Sequence, residues 1–467
     1  MSKTILAIDI GSTKVCAIIA EIDSRGKLQV LGHGIAKSQG VKKGAITNIE
    51  HASRTIKKAI NDAKRIAGSN INVATVSISN AYAKSLNSTG IVNIPHKDIS
   101  IKEINRVMQT ALYNANVPNE YEVVHVLPYN FRVDDQDFIE DPFGMNASRM
   151  EVDVNIIMTQ KSNLSNLKKA VRSAGVEIDG IILSGYASAI STMDEDEKEL
   201  GVAVIDLGGQ TSNLVVHVGN SIRYNDFLGV GSNHITNDLS MALHTPLQIA
   251  EEVKIKYGHL VETSNEIIEL PIIGDEENHN DVSLEIVHAV IFARVEEALM
   301  ILAKSMNKSA LKEQIGAGII LTGGMTKLKG IRELAQSIFP SLPVRIGKPK
   351  EIDGLFDELK DPAYATVIGL LLYKAGGHTQ YEIDFQQELL HSKEPHTDNL
   401  GDIKIANTIK DTENKRSEHQ HDGNEESITI KHGGHDTETI NFNDLPDIGA
   451  EKQGMMKKLA NWAKQLF

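Results

Sequence analysis

Cysteine is all but missing from this chain: among 467 residues only Cys16 carries a thiol. A single thiol excludes an internal disulfide framework and suits a reducing compartment. Long apolar runs are missing as well. No stretch approaches the ~18 consecutive apolar residues expected of a membrane-spanning helix. The start lacks the basic and apolar segments of a secretory leader, and strand-like sequence begins at Thr4. Positive charge is in deficit, with a formal net charge of −14, which argues against a general nucleic-acid surface. What is present is an ordinary globular composition, 41% hydrophobic and 24% charged, in a length that suits about two to four domains.

The stretch Ile5–Glu21 reads ILAIDIGSTKVCAIIAE. An apolar run reaches Asp9, a turn passes through Gly11, Ser12 and Thr13, and a second apolar run leaves. This is the pattern of a strand, a tight turn and a returning strand. Gly11 lets backbone N–H groups approach an anion, and Ser12 and Thr13 add hydroxyl donors. Lys14 brings a point charge suited to phosphate, and Asp9 sits where a carboxylate can hold Mg²⁺ through water. The spacing is not that of a Walker loop. Taken alone, the motif also reads as a buried hairpin with a glycine turn.

The motif has an echo. Gly201–Gly219 reads GVAVIDLGGQTSNLVVHVG, with Asp206 ending an apolar run and Gly208, Gly209, Gln210 and Thr211 following. Two such hairpins roughly two hundred residues apart predict two similar half-domains facing one ligand across a cleft. A third turn, Gly323-Gly324-Met325, follows strand-like Gly318–Leu321 and precedes helix-like Leu328–Phe339. Its bare backbone would let a flat base or ribose lie against the chain.

The remaining segments are placed by their periodicity. Ile46–Ala67 reads as an amphipathic helix over the first sheet. Between about 84 and 160 a capping box, Ser100 with Glu103, precedes apolar Ile104, Val107 and Met108, and Val152, Val154 and Ile156 alternate as in a half-buried strand. Asn163–Gly175 and Glu285–Met306 read as helices, with Arg294 at the edge of the second one's apolar stripe, and Asp275–Asp281 as an acidic loop.

Order is expected to end after Lys374. Between Tyr381 and Ala450, 16 acidic residues face 6 basic ones, the composition of a disordered linker. Some 70 such residues would reach about 45 Å. His419, His421, His432 and His435 lack the spacing of a defined metal site and belong to that linker. Gly454–Phe467 then gathers Met455, Met456, Leu459, Trp462, Leu466 and Phe467 on one helical face, with Lys457, Lys458 and Lys464 on the other or at its margins. At ~21 Å such a helix is too short to span a bilayer. It reads as an interfacial anchor, with docking on the body or in a partner's groove as the alternative.

The order AIDIGSTK, SGYASA at Ser184–Ala189, VIDLGGQT, ILTGGMTKLKGI and AYATVIGLLLY at Ala363–Tyr373 resembles the actin-type ATPase superfamily. These match its phosphate-1, connect-1, phosphate-2, adenosine and connect-2 segments. Within it the chain is most similar to the FtsA family of bacterial cell-division proteins, over Lys3–Tyr373 and the tail. The resemblance implies an α/β, actin-like (ribonuclease H-like) fold of two half-domains. Half I would occupy 1–83 and 161–200, and half II 201–228 and 307–375. An inserted α+β subdomain (1C, SHS2-like) would occupy 84–160 and an outer subdomain 229–306. A disordered acidic linker would follow at 376–453 and an amphipathic membrane-targeting helix at 454–467.

The resemblance also implies ATP and Mg²⁺ as cofactors. Nucleotide contacts would come from Asp9, Gly11, Ser12, Thr13, Lys14, Asp206, Gly208, Gly209, Gln210, Thr211, Gly323, Gly324 and Met325. Glu251 and Lys254, in AEEVKIKYG, would take the ribose and adenine side; Asp9 and Asp206 would hold the metal. Implied partners are the C-terminal peptide of FtsZ, received by 229–306 with Arg294 as a contact, further copies of the chain in head-to-tail filaments, anionic membrane lipid and later division proteins. The expected place is the cytoplasmic face of the inner membrane at the division site. No catalytic residue is assigned. Connect-1 offers Ser184, Tyr186 and Ser188 but no Glu or Gln to orient a water, and Gln210 and Asn213 depart from the superfamily pattern, so hydrolysis is expected to be weak at most. The rival readings are another actin-fold ATPase, a small-molecule kinase or a chaperone, carrying a membrane-binding tail. A kinase would need a catalytic carboxylate in the cleft, and a chaperone a β-rich peptide-binding domain after the ATPase.

Overall fold

In the computed structural model, which describes residues 2–262 and 264–391, the apolar runs sort into two five-stranded sheets of matching order. The first hairpin is β1 (Lys3–Ile10) and β2 (Lys14–Ile22), buried along most of their length, as strands covered on both faces must be. It is followed by β3 (Leu28–Lys37), the short pair β4 (Val41–Lys42) and β5 (Ala45–Ile46), α1 (Ile49–Ala67) and β6 (Val73–Ile78). The helix starts later than its apolar pattern suggests because Asn48 caps it, its side chain accepting from the His51 N–H.

Here the chain leaves the sheet. β7 (Ala83–Asn93), α2 (Ile101–Asn114), β8 (Tyr121–Val133), β9 (Gln136–Ile139) and β10 (Arg149–Gln160) form a four-stranded sheet, order β7-β10-β8-β9, under one helix. The Ser100–Glu103 capping box opens that helix, and Val107, Met108, Phe131, Val152 and Val154 belong to a core of the subdomain's own. The chain returns through α3 (Lys161–Ser173) and β11 (Glu177–Leu183), completing the first sheet as β11-β6-β1-β2-β3. α4 (Ser184–Thr192) and α5 (Glu195–Leu200) lead to the second half.

That half repeats the first. β12 (Val202–Leu207), β13 (Ser212–Val218) and β14 (Ser221–Leu228) form the second hairpin and its extension. An excursion through α6 (Ser232–Leu243), α7 (Leu247–Tyr257), β15 (Ile267–Ile272), β16 (Asp275–Ser283) and α8 (Leu284–Lys308) precedes β17 (Gly318–Thr322), α9 (Ile331–Ile338), β18 (Val344–Ile346) and α10 (Ala365–Leu372). The sheet order, β14-β13-β12-β17-β18, places an antiparallel hairpin beside a parallel strand, as β1, β2 and β6 do in the first sheet.

Two expectations are corrected. Asp275–Asp281 is not a loop but part of β16, paired antiparallel with β15. Its acidic and amide residues disfavour a strand locally, and the pairing with apolar Ile267–Ile272 overrides that preference. The ordered body also extends to His391, past the expected linker start at 376. Tyr381 and Ile383 are fully buried, and Ile383 exchanges backbone hydrogen bonds of 2.9 and 3.1 Å with Val126 on β8. Burying each such side chain is worth about 1.5–3 kcal/mol, enough to hold a segment whose average composition is that of a linker. The expectations for 392–453 and for the tail with Trp462 fall outside the described residues. Among the described residues no helix is long and apolar enough to cross a membrane.

Candidate functional site: the cleft between the hairpins

The two hairpin turns close in the same way. The Gly11 N–H donates to the Lys14 carbonyl at 3.0 Å, and the Gly208 N–H to the Thr211 carbonyl at 2.9 Å. Asp9 pairs across its hairpin with Cys16, and Asp206 with Asn213. The turns face each other over a cavity of about 320 Å³, within the range of small-ligand sites. They touch at Gly209, where a Cβ would lie 1.7 Å from the Thr13 hydroxyl; only glycine permits that approach.

Each carboxylate is held by hydroxyls from neighbouring elements. Asp9 accepts from Ser77 Oγ at 2.8 Å, and the buried Asp206 accepts from Ser188 Oγ at 2.8 Å. Burial pushes the Asp9 carboxyl up to about 6, opposed by Lys14 and the Ser77 hydrogen bond and reinforced by the charge of Asp206. Burial also raises Asp206, against the bonds from Ser188 and Thr366 and the charge of Lys14. The Lys14 ammonium donates to the Ala363 carbonyl at 2.5 Å and lies 4.1 Å from the centre of the Tyr364 ring. Burial lowers its pKa, with Asp9 the chief opposing charge.

These features fit a magnesium–phosphate ligand. Two carboxylates destabilised by burial gain from a nearby cation, and a lysine with backbone N–H groups suits the anion. The buried Asn213 Oδ1, which has no hydrogen-bond partner, also lines the cavity.

Of the expected contacts, Asp9, Gly11–Lys14, Asp206, Gly208–Thr211, Gly323 and Gly324 all line this one cavity. Gly323 is required by its own backbone: φ is +88°, and a Cβ would sit 2.3 Å from Asp206 Oδ1. Three expected residues do not line the cavity. Met325 is buried in the core of the second half. Lys254 donates to Glu251 at 2.7 Å, to Thr236 Oγ1 at 2.9 Å and to the carbonyl of Ser232 at 3.2 Å. This pair therefore stands behind Ser232, which does reach the wall.

Gln210 accepts from the Lys43 N–H at 2.8 Å, bracing the second hairpin against the first half. Arg294, expected to meet an acidic peptide, is instead committed within the chain. Its fork bonds Asp238 at 2.5 and 3.1 Å and Glu297 at 2.5 Å, and a guanidinium paired on both edges offers little to a third carboxylate. Ser77, Thr366, Ser232 and Tyr364 were not foreseen; Ser232 follows a glycine turn and Thr366 and Tyr364 lie in a connecting segment, while Ser77, on β6, carried no local signal.

Two half-domains of equal sheet order, each bringing a glycine hairpin to one cleft, define an actin-like fold. A chain of the PilM-PilN type IV pilus biogenesis complex shares that fold with a TM-score of 0.58 at 16% identity, over 79% of this chain and 98% of its own. The profile described as "Cell division protein FtsA" matches residues 203–369, and the "SHS2 domain inserted in FTSA" matches 80–158. FtsA of Helicobacter pylori (strain ATCC 700392 / 26695) is 42% identical over 82% of this chain and 84% of its own. FtsA of Escherichia coli K12 is 30% identical over 84% and 94%. The chain belongs to the FtsA family of cell-division proteins.

Proposed function

We propose that this chain binds ATP with Mg²⁺ between its two hairpins and couples filaments of FtsZ to the cytoplasmic membrane during division. The observation that carries the nucleotide reading is the pair of matching turns lining one cavity together with Lys14, the half-buried Asp9 and the buried Asp206. Lys14 and the turn N–H groups would take the phosphates, and Asp9 and Asp206 would hold the metal through water. Hydrolysis would be weak at most, because the connecting segment Ser184–Ala189 offers hydroxyls but no Glu or Gln to orient a water, and Gln210 is engaged with the Lys43 N–H.

The outer excursion, 229–306, would receive the FtsZ peptide without relying on Arg294, and the subdomain at 84–160 would supply one side of a head-to-tail filament contact that does not close. The tail Gly454–Phe467 would anchor the assembly as a peripheral, interfacial helix on anionic lipid. Each lysine there adds about 1 kcal/mol, and filament assembly multiplies weak anchors through effective concentration.

Calorimetry with ATP, with and without Mg²⁺, tests the cleft: no heat of binding in the full-length protein refutes it. Co-sedimentation with anionic liposomes tests the tether. Trp462→Glu should release the protein while ATP affinity stays unchanged; pelleting at the wild-type level would refute the anchor.

A further inference from the structure

Past α10 the chain makes a wide turn at Tyr373–Gly377 and then runs across the inserted subdomain as far as His391. The centre of this strap is a carboxylate with no exposure at all, Glu382. It accepts from Tyr373 OH at 2.5 Å, from Tyr186 OH at 2.8 Å and from His125 Nδ1 at 2.8 Å. The Leu183 N–H donates to His125 Nε2 at 3.1 Å, so the ring is neutral at that nitrogen and Nδ1 carries the proton given to Glu382. Tyr186 OH also receives the Thr379 N–H at 2.7 Å. A buried acid joined by three donors to α4, β8 and the turn after α10 is a fastening, since removing any donor leaves a buried acceptor short of a partner.

The same two connecting helices also reach the cleft. Ser188 on α4 and Thr366 on α10 hydrogen-bond each other at 2.9 Å and both meet Asp206 Oδ2, at 2.8 and 3.4 Å. Thr366 and Tyr373 are seven positions apart, about two turns or 10 Å along one helical face. On α4, Ser188 and Tyr186 point to opposite sides, one toward Asp206 and one toward Glu382. The helices touch backbone to backbone, as a Cβ on Gly369 would lie 1.8 Å from the Ala187 carbonyl. Packed this closely, the two helices and the turn after α10 hold Asp206 at one end and Glu382 at the other through their hydroxyls.

We propose that the segment 378–391 is a latch that reports the state of the cleft to the start of the C-terminal segment, through the hydroxyl pairs of α4 and α10. The occupant of the cleft in this scheme rests on the nucleotide reading above. A ligand that recruits Asp206 to a cation shifts Ser188 and Thr366, and with them Tyr186 and Tyr373, loosening or tightening the strap on β8.

Hydrogen exchange on the full-length protein tests this at the amides of Val126, Ile383 and Leu390, beside calorimetry with ATP and Mg²⁺. Saturating nucleotide should change exchange at these amides by ~5-fold or more. Tyr186→Phe and Glu382→Gln should abolish that response while ATP affinity stays within about twofold. Without any nucleotide, Ser188→Ala should alter strap exchange on its own. The latch is refuted if nucleotide binds by calorimetry and strap exchange is unmoved, or if Ser188→Ala leaves it at the wild-type rate. Absence of ATP binding together with a strap response to Ser188→Ala would instead overturn the nucleotide reading and keep the latch.

Discussion

The turn at Gly11 and the turn at Gly208 are one backbone used twice, closed by N–H to carbonyl bonds of 3.0 and 2.9 Å, yet their side chains have parted. The first carries the cation, Lys14, and a carboxylate steadied by Ser77 on the adjacent parallel strand. The second carries no cation. It contributes the close approach at Gly209, a brace from Gln210 to Lys43 and a carboxylate steadied from the connecting helices. The two halves thus share a backbone turn and differ in side chains: half I supplies the cation, half II supplies the close approach at Gly209 and the link to the connecting helices.

The largest break in this comparison should come from crowding the contact at Gly209. Gly209→Val drives a side chain into Thr13, and overpacking of this kind costs ~1–3 kcal/mol while separating the hairpins. ATP binding should fall below calorimetric detection. Ser12→Gly, at the matching position of the first turn, should bind within a few-fold of wild type, and equal losses from the two changes would show that the halves do not differ in this way.

Next in size is the cation. Lys14→Ala should weaken ATP by about 10–100-fold, the range of a lost charged hydrogen bond. Thr211→Val, its counterpart, should cost only a few-fold in the same titration.

The carboxylates give a pH test. Asp9 holds its proton up to about 6 in the folded chain, against 3.8 ordinarily. A raised acid favours the fold fully below the ordinary value, and that contribution is lost as pH rises through about 6. In ligand-free protein, Asp9→Asn should therefore raise Tm at pH 7 and make little difference below about pH 4. The Mg²⁺-dependent part of ATP affinity should fall toward tenfold per unit below about pH 6, since the cation needs the ionised form. A flat profile would place the metal elsewhere. The smallest effect should come from Gln210→Ala, which removes one hydrogen bond worth about 0.5–1.5 kcal/mol and should show as a slight loss of Tm with affinity nearly intact.

How far the sequence discloses the molecule follows from the range of the forces. The hairpins were legible because Asp-x-Gly turns between apolar runs are local signals, as were α2 with its Ser100–Glu103 box and the stripe of α8. Long-range partners left no such mark. Nothing near Glu382 in the sequence announces His125 or Tyr186, 257 and 196 residues away, so a buried strap passed for linker. The Lys254–Glu251 pair shows the converse: its spacing is plain, but whether it faces the ligand or Thr236 is decided by α6, which periodicity cannot place. Arg294 was visible at a stripe edge, and its capture by Asp238, 56 residues away, was not.

The inserted subdomain begins and ends on strands that pair with each other, Ala83 opposite Thr159. That junction bears on how the chain folds. β6 and β11 must pair in parallel although Thr75 and Asp179 lie 104 residues apart, a separation that ordinarily slows folding through the entropy of closing the loop. If the subdomain collapses first, its adjoining ends act as a splice, and the search left to half I is that of a loop a fraction as long. The first sheet would then assemble as though the insertion were a short turn, and the order of events in refolding would be insertion first, half I second.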